Sequence, residues 1–167
     1  MEIYLSIIIV ALVGEYLIRC VTRYFNLKAM TPDLPAEFDG FYDQEQYRKS
    51  QQYTHANTKF AYVSSSVGLI VMLAFILMGG FNVLDIFVRS FELSPILTGL
   101  IFFSILFLAS DWLSLPFSLY NTFVIEERFG FNQTTIRTFI LDKLKTYLLS
   151  VFLGFVIMGS ILYFFDK

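Results

Sequence analysis

The sequence predicts an all-α polytopic membrane protein with four transmembrane helices, some of them extended beyond the bilayer on the cytoplasmic side. Three observations predict it. The 167 residues are 56% hydrophobic and 19% aromatic, with twenty phenylalanines, and the mean hydropathy is +0.64. The apolar residues gather into four blocks, each long enough for the about 20 residues of helix that a bilayer requires. The blocks are unbroken rather than alternating, so lipid-facing barrel strands are excluded and helices remain. No internal repeat divides the chain, so residues 1–167 form one transmembrane domain.

The first span covers about residues 3–18. It occupies the place of a signal peptide but lacks the basic start and small-residue cleavage site of one. A polar loop follows. Its first part holds Pro32, Pro35 and Gly40 and should turn. Its second part, "DQEQYRKSQQYTHANTKF", has neither Gly nor Pro and opens on Asp43 with Gln46 three residues on, an N-cap pattern. One long helix is predicted from Asp43 to about Met78, its polar half leading into a second span over about residues 60–84. The third span opens at Ser94-Pro95, a capping residue followed by a first-turn proline, and covers about residues 95–124. At 1.5 Å per residue the stretch 95–125 is roughly 46 Å long, against about 30 Å of hydrocarbon. It should therefore overshoot the bilayer, with Pro116 kinking it near Trp112. The fourth span covers about residues 147–165. The helix feeding it starts near Thr134 or Thr135, capped by Asn132 or the threonines, with Ile136, Phe139, Ile140, Leu144 and Tyr147 on one stripe.

Lys and Arg concentrate in residues 19–59 and 126–146, which the positive-inside rule places in the cytoplasm. A formal charge of −2 with no basic face argues against a nucleic-acid partner. One cysteine, Cys20, rules out an intrachain disulfide.

Chemistry-bearing residues are few. A catalytic zinc site takes about three protein ligands, and His55 is the sole histidine, so neither a zinc site nor a serine–histidine arrangement is legible. Ser64 with Gly68 and Ser150 with Gly154 are small residues four apart, a pattern for close helix packing. Glu15 and Asp111 lie near the cytoplasmic ends of their spans, either at the interface or beside a water-filled cavity. The pattern Asn132-Gln133-Thr134 matches a glycosylation acceptor, but a cytoplasmic location makes it coincidental.

The stretch "LPFSLYNTFVIEERFGFNQTT" followed by "FILDKLK" resembles the region before the fourth span of the type I CAAX prenyl proteases, integral-membrane zinc metallopeptidases. The residues carrying the resemblance are Leu115-Pro116, Tyr120-Asn121-Thr122-Phe123, Ile125-Glu126-Glu127, Gly130-Phe131-Asn132, Thr134 or Thr135, Asp142 and Lys145. The segment "FDGFYDQEQYRKSQQYTHANTKF" is similar too. The resemblance implies seven helices around a water-filled chamber, a zinc site on the cytoplasmic side and cleavage near the C-terminus of prenylated or other membrane substrates. The family's H-E-x-x-H helix has no counterpart here. The chain is therefore expected to be the amino-terminal membrane domain without the catalytic metallopeptidase domain, inactive alone, with zinc held elsewhere in the parent protein.

On this reading Glu126, Glu127, Arg128, Asn132 and Asp142 dock the C-terminal zinc peptidase domain, and Asp111, Tyr120, Asn121, Thr134 and Lys145 complete the docking or chamber set. The implied partners are the lipid bilayer, that peptidase domain and a peptide or protein substrate. The location is the bacterial inner membrane or the endoplasmic reticulum, and the isolated domain is expected to self-associate. The alternative is a non-enzymatic four-helix membrane scaffold or transporter subunit.

Overall fold

The computed structural model describes residues 2–38, 40–41 and 43–166. Asp39 and Tyr42 of the acidic turn, and Lys167, which entered the charge count, lie outside the described residues. Among the described residues the secondary structure is helical throughout: α1 (Glu2–Ala29), α2 (Gln44–Leu77), α3 (Gly80–Arg89), α4 (Pro95–Tyr120), a π-helical turn (Asn121–Glu126), the short α5 (Glu127–Phe129) and α6 (Ile136–Asp166), with one 3-10 turn at Ala36–Phe38. Four stretches are long and apolar enough to cross a bilayer: Ile3–Ala29, Gln44–Leu77, Pro95–Phe129 and Ile136–Ile161. The predicted all-α class with four candidate spans therefore holds.

The chain divides into two compact units, Met1–Leu77 with Leu119–Asn132, and Met78–Ser118 with Gln133–Lys167. In the first unit α1 runs well past its predicted end at residue 18, because nothing breaks the helix before Ala29. The long helix predicted from Asp43 is α2, and Asp43 caps it by accepting the Gln46 amide at 2.8 Å. Gln44 ties the preceding turn to this cap, accepting from the Leu34 amide and donating to the Pro32 carbonyl.

Polar contacts set the antiparallel pairing of α1 and α2. Tyr16 and Ser66 share a hydrogen bond of 2.7 Å, Tyr62 donates to the Cys20 carbonyl at 2.9 Å, and Arg23 donates to Ser65 and the Ala61 carbonyl. Hydrogen bonds between membrane helices are worth about 0.6 kcal/mol each on average, so this seam fixes register more than it adds stability. The serines of α2 are thus more than small packing residues: two of them hold α1.

The second unit corrects the expected second span. That span ends at Leu77 rather than near residue 84, because Gly79 adopts a left-handed backbone, φ 73°, and α3 starts anew at Gly80. A left-handed residue cannot continue a right-handed helix, and glycine takes that conformation without a Cβ clash. α3 is about 15 Å long, half a bilayer, and buries Val88 fully. Ser94 begins α4 as predicted, its carbonyl accepting the Thr98 amide, and α4 continues through Pro116 without a break in helical assignment. A further irregularity, which the sequence did not signal, falls at residues 121–126, where the helix takes a π-helical turn. α4 and α6 pair antiparallel, Asp111 meeting Lys143 and Tyr147.

Candidate functional site

The first candidate site is the shoulder that follows α4, within the first unit. A π-helical turn widens the ladder so that residues five apart, rather than four, lie over one another; such turns are frequent at functional positions. Here that spacing brings the Asn121 side-chain amide to Glu126 Oε1 at 3.3 Å. Ile125 and Phe129, four apart, are buried and turn the shoulder's apolar side inward. Glu127 and Arg128 are left on the exposed side.

The helix then stops at Gly130, φ 69°. The Gly130 amide donates to the Glu127 carbonyl and the Phe131 amide to the Glu126 carbonyl, the two bonds of a Schellman cap, for which a left-handed residue is required. The reversal carries Asn132 back beside the helix, where its side-chain amide donates to Glu127 Oε2 at 2.8 Å. Each carboxylate is thus held by a neutral amide, and among the described residues neither belongs to an ion pair. Both are oriented by a hydrogen bond without being paired to a cation.

α2 supports this turn. Tyr53 lies edge-on to both Phe129 and Phe131, at 5.7 and 4.9 Å between ring centroids. Lys49, one turn earlier, places its ammonium 5.5 Å from the Phe131 ring centre. Tyr120 stacks on Phe60 at 4.9 Å. Aromatic pairs of this kind add about 0.5–1.5 kcal/mol beyond area burial, so the shoulder is anchored by rings on its inner side while its charges face outward.

The second candidate site lies in the second unit, where α4 meets α6. Asp111 accepts from Lys143 Nζ at 2.5 Å through one oxygen and from the Tyr147 hydroxyl at 2.6 Å through the other. The side chains of Lys143 and Asp111 are 24% and 19% exposed, which makes this the most enclosed of the ion pairs among the described residues. A carboxylate and an ammonium this enclosed are favoured when paired, and here the pair joins two helices.

The remaining predicted residues divide between these places. Tyr120, Asn121, Glu126, Glu127, Arg128 and Asn132 come together in the shoulder; Arg128 is exposed and leans over the adjacent Phe129 ring. Asp111 belongs to the α4–α6 cluster. Asp142 and Lys145 form an exposed pair at 3.4 Å on α6. Thr134 is half-buried, and the helix cap falls to Thr135, whose hydroxyl accepts the Thr138 amide. Glu15 pairs with Arg19 on the exposed face of α1.

Sequence reasoning missed Lys49 and Tyr53, Gly130 as a cap, and Lys143 with Tyr147. The signals were present: two i,i+4 pairs on helices, and a glycine just after "EERF" where a helix should end. Among the described residues no three His, Cys, Asp or Glu side chains converge to hold a metal ion, and His55 is exposed. The described residues thus offer no ligand set that fits a catalytic zinc.

Residues 23–167 match a family model described as the CAAX prenyl protease N-terminal region with five membrane helices. Among curated proteins, a CAAX prenyl protease 1 homolog of Arabidopsis thaliana is 34% identical over 86% of this chain and 37% of its own length. CAAX prenyl protease 1 of Saccharomyces cerevisiae is 33% identical over 80% of this chain and 31% of its own. The crystal structure of Ste24p from S. mikatae superposes with a TM-score of 0.79 at 29% identity, over 96% of this chain and 38% of that one. The chain thus spans about a third of the length of the proteins it matches.

Proposed function

Because this chain belongs to the CAAX prenyl protease N-terminal family, we propose that it is the membrane part of a zinc metalloendopeptidase that cleaves near the C-terminus of CAAX-type or other membrane-associated proteins. Its spans form chamber wall, and the shoulder after α4 receives a C-terminal zinc peptidase domain of the same parent protein. The zinc and its ligands are supplied by that domain. Family membership leaves a scaffold or transporter subunit without support.

The observation that carries the docking role is the state of Glu126 and Glu127. Two adjacent carboxylates are held in place by Asn121 and Asn132, on a turn fastened from behind by Tyr53. A pre-oriented carboxylate pair suits the basic side chains and backbone amides of a partner domain, since little ordering remains to be done on binding. The remaining members of the set, Arg128, Asp142 and Lys145, are exposed and add charges of both signs. Residues 19–59 and 126–146 face the cytoplasm on the Lys and Arg count, in the endoplasmic reticulum or a bacterial inner membrane.

The test is a chimera. This chain replaces the matching membrane region of the S. cerevisiae CAAX prenyl protease 1, and cleavage of a CAAX-type peptide is measured in microsomes. Activity that falls at least tenfold (about 1.4 kcal/mol) on Glu126→Gln with Glu127→Gln, with the protein still inserted, supports docking. Unchanged activity in that double variant would remove the shoulder from the docking surface, and a chimera that inserts but never cleaves would count against the membrane-domain role.

A further inference from the structure

Asp111, Lys143 and Tyr147 join α4 to α6 at their charged end, and a groove lies beyond it. A cavity of about 280 Å³ runs from Tyr147 past Phe107 and Gly154 to Leu100 and Phe155. A second, of about 440 Å³, shares Leu100 and Phe155 and extends to Tyr163. From Tyr147 to Tyr163 is roughly 24 Å of helix against about 30 Å of hydrocarbon, with a tyrosine at each end as at the two faces of a bilayer. The groove thus matches most of a hydrocarbon layer in length, and Lys143 stands one turn beyond its end.

We propose that this groove holds one acyl chain of a membrane phospholipid whose phosphate sits on Lys143. Most of the lining is apolar, and along it Ser104 and Ser160 turn their hydroxyls onto their own helix, to the Leu100 and Val156 carbonyls, which leaves a chain of methylenes little to desolvate. At its mouth the Lys143 ammonium has one donor on Asp111. An ammonium carries three donors, and the other two suit the anionic oxygens of a phosphodiester. Asp111 fixes the ammonium in place, and Tyr147 both holds Asp111 and lines the groove. The head contact and the tail contact thus come from one face of α6, at Lys143, Tyr147, Val151 and Gly154. This inference is independent of any peptidase activity.

The experiment uses the purified chain, released from micelles holding either dioleoyl-phosphatidylglycerol or dioleoylglycerol, with bound lipid counted by native mass spectrometry. One phosphatidylglycerol should be retained per chain, and dioleoylglycerol, with the same tails and no phosphate, about tenfold less, the size of one charge-assisted hydrogen bond. Lys143→Gln should lower phosphatidylglycerol retention by a similar factor, while Arg137→Gln, exposed in the first turn of α6, should change nothing. Gly154 lines the groove and a Cβ there meets no atom within 4 Å, so Gly154→Leu should occupy the groove and reduce retention of both lipids, with unchanged helicity by circular dichroism as the control. That variant decides the matter even if Lys143→Gln loses helicity by circular dichroism. Equal retention of both lipids would reduce the site to ordinary solvation by bilayer. Full retention in Gly154→Leu would place the chain elsewhere, and a dimer abolished by Gly154→Leu would assign the groove to a second copy.

Discussion

The two units join their helices in opposite ways. In the first, α1 and α2 meet through polar contacts spaced along the seam, from Tyr16 with Ser66, through Cys20 with Tyr62, to Arg23 with Ser65. In the second, a single carboxylate of α4, Asp111, accepts from both Lys143 and Tyr147 of α6. A distributed seam loses one contact at a time, and distant substitutions in it should add. A shared acceptor makes its partners interdependent: removing Asp111 leaves an ammonium and a phenol without their partner together.

The largest effect should therefore follow Asp111→Ala. Leaving one member of an enclosed pair uncompensated typically costs several kcal/mol; with about a fifth of each side chain still open, about 2 kcal/mol is expected after screening. Trp112, the single tryptophan, adjoins Asp111, so its fluorescence during denaturation in mixed micelles reads this unit directly. Lys143→Met combined with Asp111→Ala should cost less than the sum of the two alone. Strict additivity would break the contrast between the units.

Next comes Gly130→Val. Gly130 sits at φ 69°, where a β-branched residue is strained by about 1–2 kcal/mol, and its amide and that of Phe131 close the shoulder's cap. Hydrogen exchange at the Phe131 amide should quicken, and Gly130→Asn should recover much of the loss because asparagine tolerates the left-handed region. Equal protection in wild type and Gly130→Val would mean that the turn does not depend on its glycine.

Much of this architecture was legible in the sequence. Four apolar blocks gave four spans, Asp43 and Ser94 announced their helices, and an irregular motif from Leu115 to Asp142 pointed to the family. What was not legible depends on three-dimensional proximity or on local backbone choice. Asp111 was singled out as a costly charge, yet its partner lies 32 residues away on α6, and no periodicity links the two. Glycine pairs occur inside membrane helices often enough that Gly79-Gly80 did not declare a break. A proline such as Pro116 marks a missing donor, whereas the π-helical turn begins at Asn121, where no residue type forces it. The amide–carboxylate pairing of the shoulder became visible only once that five-residue spacing was known.

In the first unit, Arg23→Met removes the bonds to Ser65 and to the Ala61 carbonyl but keeps an apolar stem. About 1 kcal/mol should be lost, and Tyr16→Phe should cost about 0.6 kcal/mol. Tyr16 and Arg23 stand roughly 10 Å apart along α1, share no partner, and should add within about 0.5 kcal/mol. Thermal melts of the two singles and the double variant measure this. A coupling above about 1 kcal/mol would show that the seam acts as a unit after all, as Asp111 makes the second one do.

The smallest effect belongs to Glu15→Gln. Glu15 and Arg19 form an i,i+4 pair on one helix, with side chains 58% and 60% exposed, so the pair crosses no interface and sits outside the seam that Tyr16 and Arg23 make. Exposed pairs of this kind contribute about 0.3–0.5 kcal/mol and are screened by salt. The variant should shift stability by no more than that, and the shift should vanish at high ionic strength. A loss above about 1 kcal/mol that persists in salt would mean that Glu15 lies at apolar depth, where a charge keeps its partner at a higher cost. That outcome would move the membrane boundary of α1 and add a second enclosed ion pair, this one in the unit otherwise held by hydroxyls and carbonyls.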